Sequence, residues 1–136
     1  MVFQHSDFLN TGAAVVWQPG SHNLAFSSVT SSDGNRVSTL EIWDGTTGKL
    51  VAQHAGGNSN ALAWSPDGKE IAYAVFDDKN VRSDVIIIDA TTGKQVYVYK
   101  EHHLSVSVIV WSPDGKYIAS AEGNSGSNTV AKVWTA

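Results

Sequence analysis

The chain repeats one pattern of residues at a spacing of 47 positions. Trp17, Trp64 and Trp111 mark the repeat, and each of the only three prolines follows one of these tryptophans by two positions. Around the tryptophans the sequence reads VVWQPGSHNLAFS, LAWSPDGKEIAYA and IVWSPDGKYIASA. Internal repeats of about 20 to 50 residues are typical of solenoids, propellers and other arrays of one supersecondary unit. Three copies of such a unit account for the chain.

Each unit is predicted to supply short antiparallel strands, lettered a to d in chain order. Apolar runs of strand length alternate with turn residues, a pattern that favours strands over helices. A second anchor, LEIWDGTTGK in the first unit and VIIIDATTGK in the second, ends strand c and turns into strand d. We expect four carboxylates to cap backbone N–H groups in these turns, those of Asp44, Asp67, Asp89 and Asp114.

The Trp-Ser-Pro-Asp-Gly-Lys and Ile-Trp-Asp segments resemble the WD-repeat β-propeller family, in its bacterial form. The resemblance covers essentially the whole chain. It implies an all-β propeller of four-stranded antiparallel blades, three in this chain. The predicted ranges are 13–54 for the first blade, 60–100 for the second and 106–134 for the third, which lacks its own outer strand.

In the family, a histidine, a strand-b Ser or Thr, a b–c turn Asp and the strand-c Trp form a hydrogen-bonded network within each blade. The resemblance places His5, His54 and either His102 or His103 at the histidine position. For the Asp position the third unit offers only Asn124 or Asn128, so blade stability is expected to depend more on apolar packing.

Met1 to His5 matches Leu50 to His54 at Val, Gln and His, which predicts an additional outer strand at residues 1–5. Three blades fill too small a sector for a ring and would leave two apolar faces and a strand edge open. We therefore expect self-association, as a six-bladed homodimer or alternatively a nine-bladed homotrimer. The strand exchange that closes the ring involves Val2, Phe3, Val133 and Trp134. The alternative is that the chain is a fragment of a longer propeller.

Composition narrows the function classes. Nine basic against 13 acidic residues give a net charge of −4, which disfavours nucleic acid and anionic membranes as partners. The absence of cysteine excludes disulfides and thiolate chemistry. No nucleophile motif or metal-ligand spacing is evident, so the expectation is a non-enzyme without cofactor or metal. An N-terminus without a signal-peptide run predicts a cytoplasmic protein.

Function is therefore predicted to lie on the surface, in a protein-interaction scaffold whose partner is an unidentified protein or peptide. In the family the d–a and b–c loops form the usual docking face. The candidate partner-binding residues in these loops are Phe8, Asp33, Arg36, Asp78, Arg82, His103 and Asn124. Tyr97 and Tyr99 are expected to pack between blades rather than to recognise a partner. The alternative function is a propeller that binds a small ligand or glycan weakly at each blade.

Overall fold

A computed structural model describes residues 14–32, 35–56, 61–77, 82–123 and 128–136. Regular secondary structure in these ranges consists of eleven strands. The strands of the first unit are β1 (Val15–Trp17), β2 (Asn23–Ser32), β3 (Asn35–Asp44) and β4 (Leu50–Ala55). Those of the second are β5 (Leu62–Trp64), β6 (Glu70–Asp77), β7 (Arg82–Asp89) and β8 (Gln95–Tyr99). Those of the third are β9 (Val106–Trp111), β10 (Tyr117–Glu122) and β11 (Val130–Thr135).

Each unit forms one antiparallel sheet in which every strand pairs with the next along the chain. Two sheets have four strands, in the orders β1-β2-β3-β4 and β5-β6-β7-β8. The third sheet has the order β11-β10-β9 in the described residues, so β11 lies at its edge. The all-β prediction is confirmed, and the sheets have the form of propeller blades. Within the described ranges, no helix has the length and apolar character needed to cross a membrane.

Aspartates fix the turns that follow strands a and c. Asp67 Oδ1 accepts hydrogen bonds from Ser65 Oγ and the Lys69 amide, and the neighbouring Gly68 has the positive φ of 71° that such a turn requires. Asp44 Oδ1 accepts from the Thr46 hydroxyl and amide, and these bonds lower the pKa of Asp44 to about 2. Asp89 and Asp114 make equivalent bonds, so the predicted turn role is confirmed for all four.

The hydrophobic core lies between the blades. At the first boundary, residues of the first blade pack against Leu62, Trp64, Ile71, Tyr73 and Ile88 of the second. At the second boundary, the opposite face of the second blade packs against Val106, Ile109, Ile118 and Trp134. The second blade is thus buried on both faces. Successive residues along its strands, such as Ile87 and Ile88, pack at opposite boundaries because side chains point alternately to the two faces of a sheet.

The outer faces of the first and third blades expose large apolar side chains. Trp17 is 64% exposed on the first blade, and Val133 is 70% exposed on the third. Val108 and Val110 are also exposed, and pairing places Val110 and Val133 on either side of Ala119. An apolar face on each terminal blade is what an open array of blades is expected to present.

Candidate interaction face

The strand order brings the b–c and d–a connections to one end of the blades. We call this end the loop face. In the third blade it carries the segment 100–105, which links β8 to β9, and in the second blade it carries the start of β7 at Arg82. The a–b and c–d turns lie at the opposite end, called the turn side below.

A buried hydrogen-bond network lies beneath the loop face of the third blade. His102 is 0% exposed, and its Nε2 is 2.7 Å from Ser120 Oγ in β10. Trp134 Nε1 in β11 donates to the same Ser120 Oγ at 3.1 Å. Because the hydroxyl accepts from the indole, its own proton is free to be donated to His102 Nε2. The network joins two strands of the third blade to the loop that enters it.

The carboxylate of Glu122 organises the same loop. Its Oε2 accepts hydrogen bonds from the amides of His103 at 2.6 Å and Leu104 at 2.9 Å, and its Oε1 lies 2.9 Å from Lys132 Nζ. Burial by itself would raise the pKa of Glu122, but the lysine and the two amides outweigh burial and bring the pKa to about 2. Glu122 is therefore ionised at neutral pH and fixes the backbone at residues 103 and 104.

His102 is held neutral between these groups. Burial lowers its pKa, and Lys132 adds to that effect, although the Glu122 carboxylate opposes it. The Nδ1 atom lies 3.3 Å from Glu122 Oε2 without forming a hydrogen bond, and the tautomer with a proton on Nδ1 leaves Nε2 to accept from Ser120. The neutral ring also meets Tyr99 edge-on at 5.3 Å.

The second and third blades are joined close to this loop. Ser83 Oγ in β7 accepts a hydrogen bond from the Val106 amide at 3.1 Å. Beside Ser83, Arg82 Nε lies 3.7 Å from Asp84 Oδ1, and both side chains are partly exposed. The loop face at this boundary thus has a main chain held by Glu122 and two basic side chains, the exposed His103 and the partly exposed Arg82.

Comparison with models of known protein families identifies the family of this chain. The model of the family described as eukaryotic translation initiation factor eIF2A matches residues 7–136. The chain belongs to the eIF2A family. This assignment supports the β-propeller resemblance, although not the bacterial form of WD repeat in particular. Among curated proteins, none matches the chain.

The eIF2A-family chain also resembles solved structures. Hydrazine synthase of Kuenenia stuttgartiensis superposes with a TM-score of 0.65 at 19% sequence identity. The match covers 79% of this chain and 30% of the hydrazine synthase chain. A likeness at that identity shows the fold alone.

The described part of this eIF2A-family chain contains some of the predicted interaction residues. Arg82 and His103 lie on the loop face, and Arg36 lies in β3 opposite Ser31. Val133 and Trp134 lie in β11, the former exposed and the latter buried against the second blade. The remaining candidates lie outside the described residues, namely Val2, Phe3, Phe8, Asp33, Asp78 and Asn124.

The prediction that the two tyrosines pack between blades is confirmed. Tyr99 stacks on Trp134 with ring centroids 4.5 Å apart and planes 4° from parallel. Tyr97 packs on the same indole at 5.9 Å. The outer strand of the second blade therefore supports the third blade.

One prediction about the polar network is wrong. His54 does not occupy the same position as His102. It lies within strand β4 opposite Leu40, and the residue at the equivalent place in the second blade, opposite Val85 in β8, is Tyr99. Its Nε2 is 3.1 Å from the Ala90 carbonyl of the next blade. In the third blade Glu122 meets the histidine, and Asn124, one of the two asparagines considered for the Asp position, lies outside the described residues. The sequence indicates this role of Glu122 only weakly, through an acidic residue at the end of a strand whose side chain faces the core.

Proposed function

We propose that this eIF2A-family chain is a non-catalytic interaction module of WD-type blades that binds a protein or peptide on its loop face. The observation that carries the proposal is the loop held by Glu122. A buried carboxylate fixes the main chain at His103 and Leu104, on the same face of the blades that carries Arg82. Binding sites gain affinity when the binding conformation exists before the partner arrives.

The geometry of the serine, histidine and acid supports a role without turnover. Ser120, His102 and Glu122 follow the order of a nucleophile, base and acid, with Ser120 Oγ 2.7 Å from His102 Nε2. However, Ser120 is 2% exposed, and its oxygen already accepts a hydrogen bond from Trp134. A substrate carbonyl would need to reach that oxygen, and the packing of the two blades excludes it.

The family name directs the choice of partners to test. Components of translation initiation are the first candidates, because the family is that of a translation initiation factor. The net charge of −4 favours protein components over RNA among them. In such a complex, the two basic side chains of the loop face, Arg82 and His103, would contact the partner.

Alanine substitution tests the binding face. The double variant Arg82→Ala with His103→Ala should bind an initiation-factor partner about tenfold more weakly or worse, because few side chains carry most of the energy of an interface. The matched control, Lys49→Ala with His22→Ala, removes the same kinds of side chain on the turn side and should bind normally. Loss of binding in the control alone would overturn the proposal.

We further propose that a second copy of the chain covers the apolar faces of the terminal blades. Trp17 and Val133 are the most exposed large side chains on these faces, and in the part of the chain that the structure describes β11 has no second neighbour, so a strand such as residues 1–5 of another copy could pair with it. Further blades of a longer protein are the alternative cover.

Light scattering tests the assembly, since a dimer or trimer has two or three times the 14.5-kDa mass of one chain. Val133→Lys, or deletion of residues 1–5, should reduce that mass towards one chain. A monomer at micromolar concentration would overturn the proposed self-association, and would leave the proposal for the loop face standing.

A further inference from the structure

The two boundaries between blades are built from the same two kinds of face. Each sheet has one face towards the preceding blade, which we call its leading face, and one towards the following blade, its trailing face. At the first boundary, Ile42 on a trailing face and Ile88 on a leading face belong to one buried cluster. Ile87 and Trp134 have the same places at the second boundary. Both boundaries therefore join a trailing face to a leading face.

Strand register identifies what the third blade presents on its trailing face. In every blade one residue of strand c pairs with an alanine of strand b, and the three pairs are Ile42 with Ala25, Ile87 with Ala72 and Val133 with Ala119. Ile42 and Ile87 are 3% and 1% exposed because the next blade covers them, whereas Val133 is 70% exposed. Val133 therefore occupies a position that is buried wherever another blade follows.

The trailing face of the third blade also has the composition of a covered face. Its strand c carries smaller residues than strand c of the second blade, namely Ala131 and Val133 against Val85 and Ile87. Its strand a carries larger ones, namely Val108 and Val110 against Ala61 and Ala63. Because these differences offset each other, the apolar volume is nearly unchanged, and none of these side chains is charged. The face is therefore equipped to pack against another leading face.

The first blade exposes the complementary leading face. Trp17 pairs with Leu24 in the first blade, just as Trp64 pairs with Ile71 in the second. Trp64 is 7% exposed because the first blade covers it, whereas Trp17 is 64% exposed. The chain thus leaves open one leading face and one trailing face, the two kinds that pack together at both of its own boundaries.

We propose that the leading face of the first blade of one copy docks on the trailing face of the third blade of another copy. This inference rests on the self-association proposed above and specifies its geometry as head-to-tail. A contact between two like faces has no counterpart within the described blades and would leave the other apolar face of each copy exposed. A head-to-tail contact covers both faces, and it closes into a ring when the rotation between copies permits.

The a–b turns provide a direct test because they meet at the first boundary. A Cβ atom on Gly68 would lie 3.3 Å from Gln18 Cγ of the preceding blade. In the repeat, position 68 corresponds to Ser21 of the first blade, and position 18 corresponds to Ser112 of the third. In the head-to-tail contact, Ser21 of one copy therefore lies beside Ser112 of another.

Ser21→Cys and Ser112→Cys are prepared as separate variants of a chain that has no cysteine of its own. Disulfides form between residues whose Cβ atoms are about 4 Å apart. A mildly oxidised mixture of the two variants should therefore give covalent pairs of chains at a yield about tenfold above that of either variant alone. As a control for random collision, Thr47→Cys, in an exposed c–d turn, should give only that background yield with Ser112→Cys.

Charge variants test the faces themselves. Trp17→Glu and Val133→Lys should each lower the mass in light scattering towards that of one chain. A mixture of the two should recover pairs, because the unaltered third blade of the first variant meets the unaltered first blade of the second. The cysteine variants keep both faces intact, so their result does not depend on the folding of the charge variants.

Three results would overturn the head-to-tail contact and leave self-association standing. They are equal covalent yields from the mixture and from a single cysteine variant, charge variants that each keep the parent mass, and a charge-variant mixture that stays at the mass of one chain. A parent chain that is itself monomeric would overturn both proposals. Light scattering of the parent chain separates the two cases.

Discussion

Glutamine in place of Glu122 removes the charge that Lys132 and the amides of His103 and Leu104 hold, while the size of the side chain is kept. The pKa of Glu122 falls from an ordinary 4.5 to about 2 in the folded chain. At about 1.36 kcal/mol per pKa unit, the ionised carboxylate therefore stabilises the folded state by about 3 kcal/mol. The Glu122 side chain is 5% exposed, so solvent screens little of this electrostatic stabilisation. The free energy of unfolding at pH 7 should therefore fall by about 3 kcal/mol, near the cost of breaking a buried ion pair.

Urea unfolding of the parent and Glu122→Gln across a series of pH values tests this reasoning. A carboxylate whose pKa is lower in the folded state stabilises fully above 4.5, and that stabilisation is lost as the pH falls towards 2. The gap between the two proteins should thus be widest at pH 7 and close in acid. Glu101→Gln should differ from the parent by less than about 0.5 kcal/mol. A gap below about 1 kcal/mol, or one that does not change with pH, would refute the role of Glu122.

Other positions give further expectations, all measurable by urea unfolding. Trp134→Phe keeps a ring in the stack but loses the indole hydrogen bond, and should cost about 1 kcal/mol; a cost of zero would contradict that bond. Gly93→Ala should destabilise more than Gly20→Ala by about 1 to 3 kcal/mol, since both have positive φ but only the former meets a neighbour, His54. Burial lowers the pKa of His102, so stability should begin to fall below pH 6.5, where the unfolded chain gains a proton first. His102→Gln should remove that part of the slope.

The blades could be predicted from sequence because their determinants are local and repeated. The spacing of Trp17, Trp64 and Trp111, and the Asp turns, depend only on neighbouring residues. The packing of Tyr97 and Tyr99 could also be predicted, since two aromatic side chains on one face of an outer strand require cover.

The network of the third blade could not be predicted, because its members come from separate segments. Glu122 gains its role from Lys132 on the next strand and from amides of a preceding loop, and no short motif links them. His54 was misplaced because matching letters do not define strand register, which here includes a shift between Ile42 and Trp43.

Within the described residues β11 pairs only with β10, and its other edge affects how the chain behaves when concentrated. An uncovered strand edge is a template for any other extended segment, and proteins commonly guard such edges with charged side chains. Lys132 is the only charged residue of β11, and its ammonium is held by Glu122 and the main-chain oxygen of Glu101. The edge thus carries little electrostatic repulsion, and Val133 adds an apolar contact to it. Ordered pairing with a specific strand would therefore compete directly with aggregation.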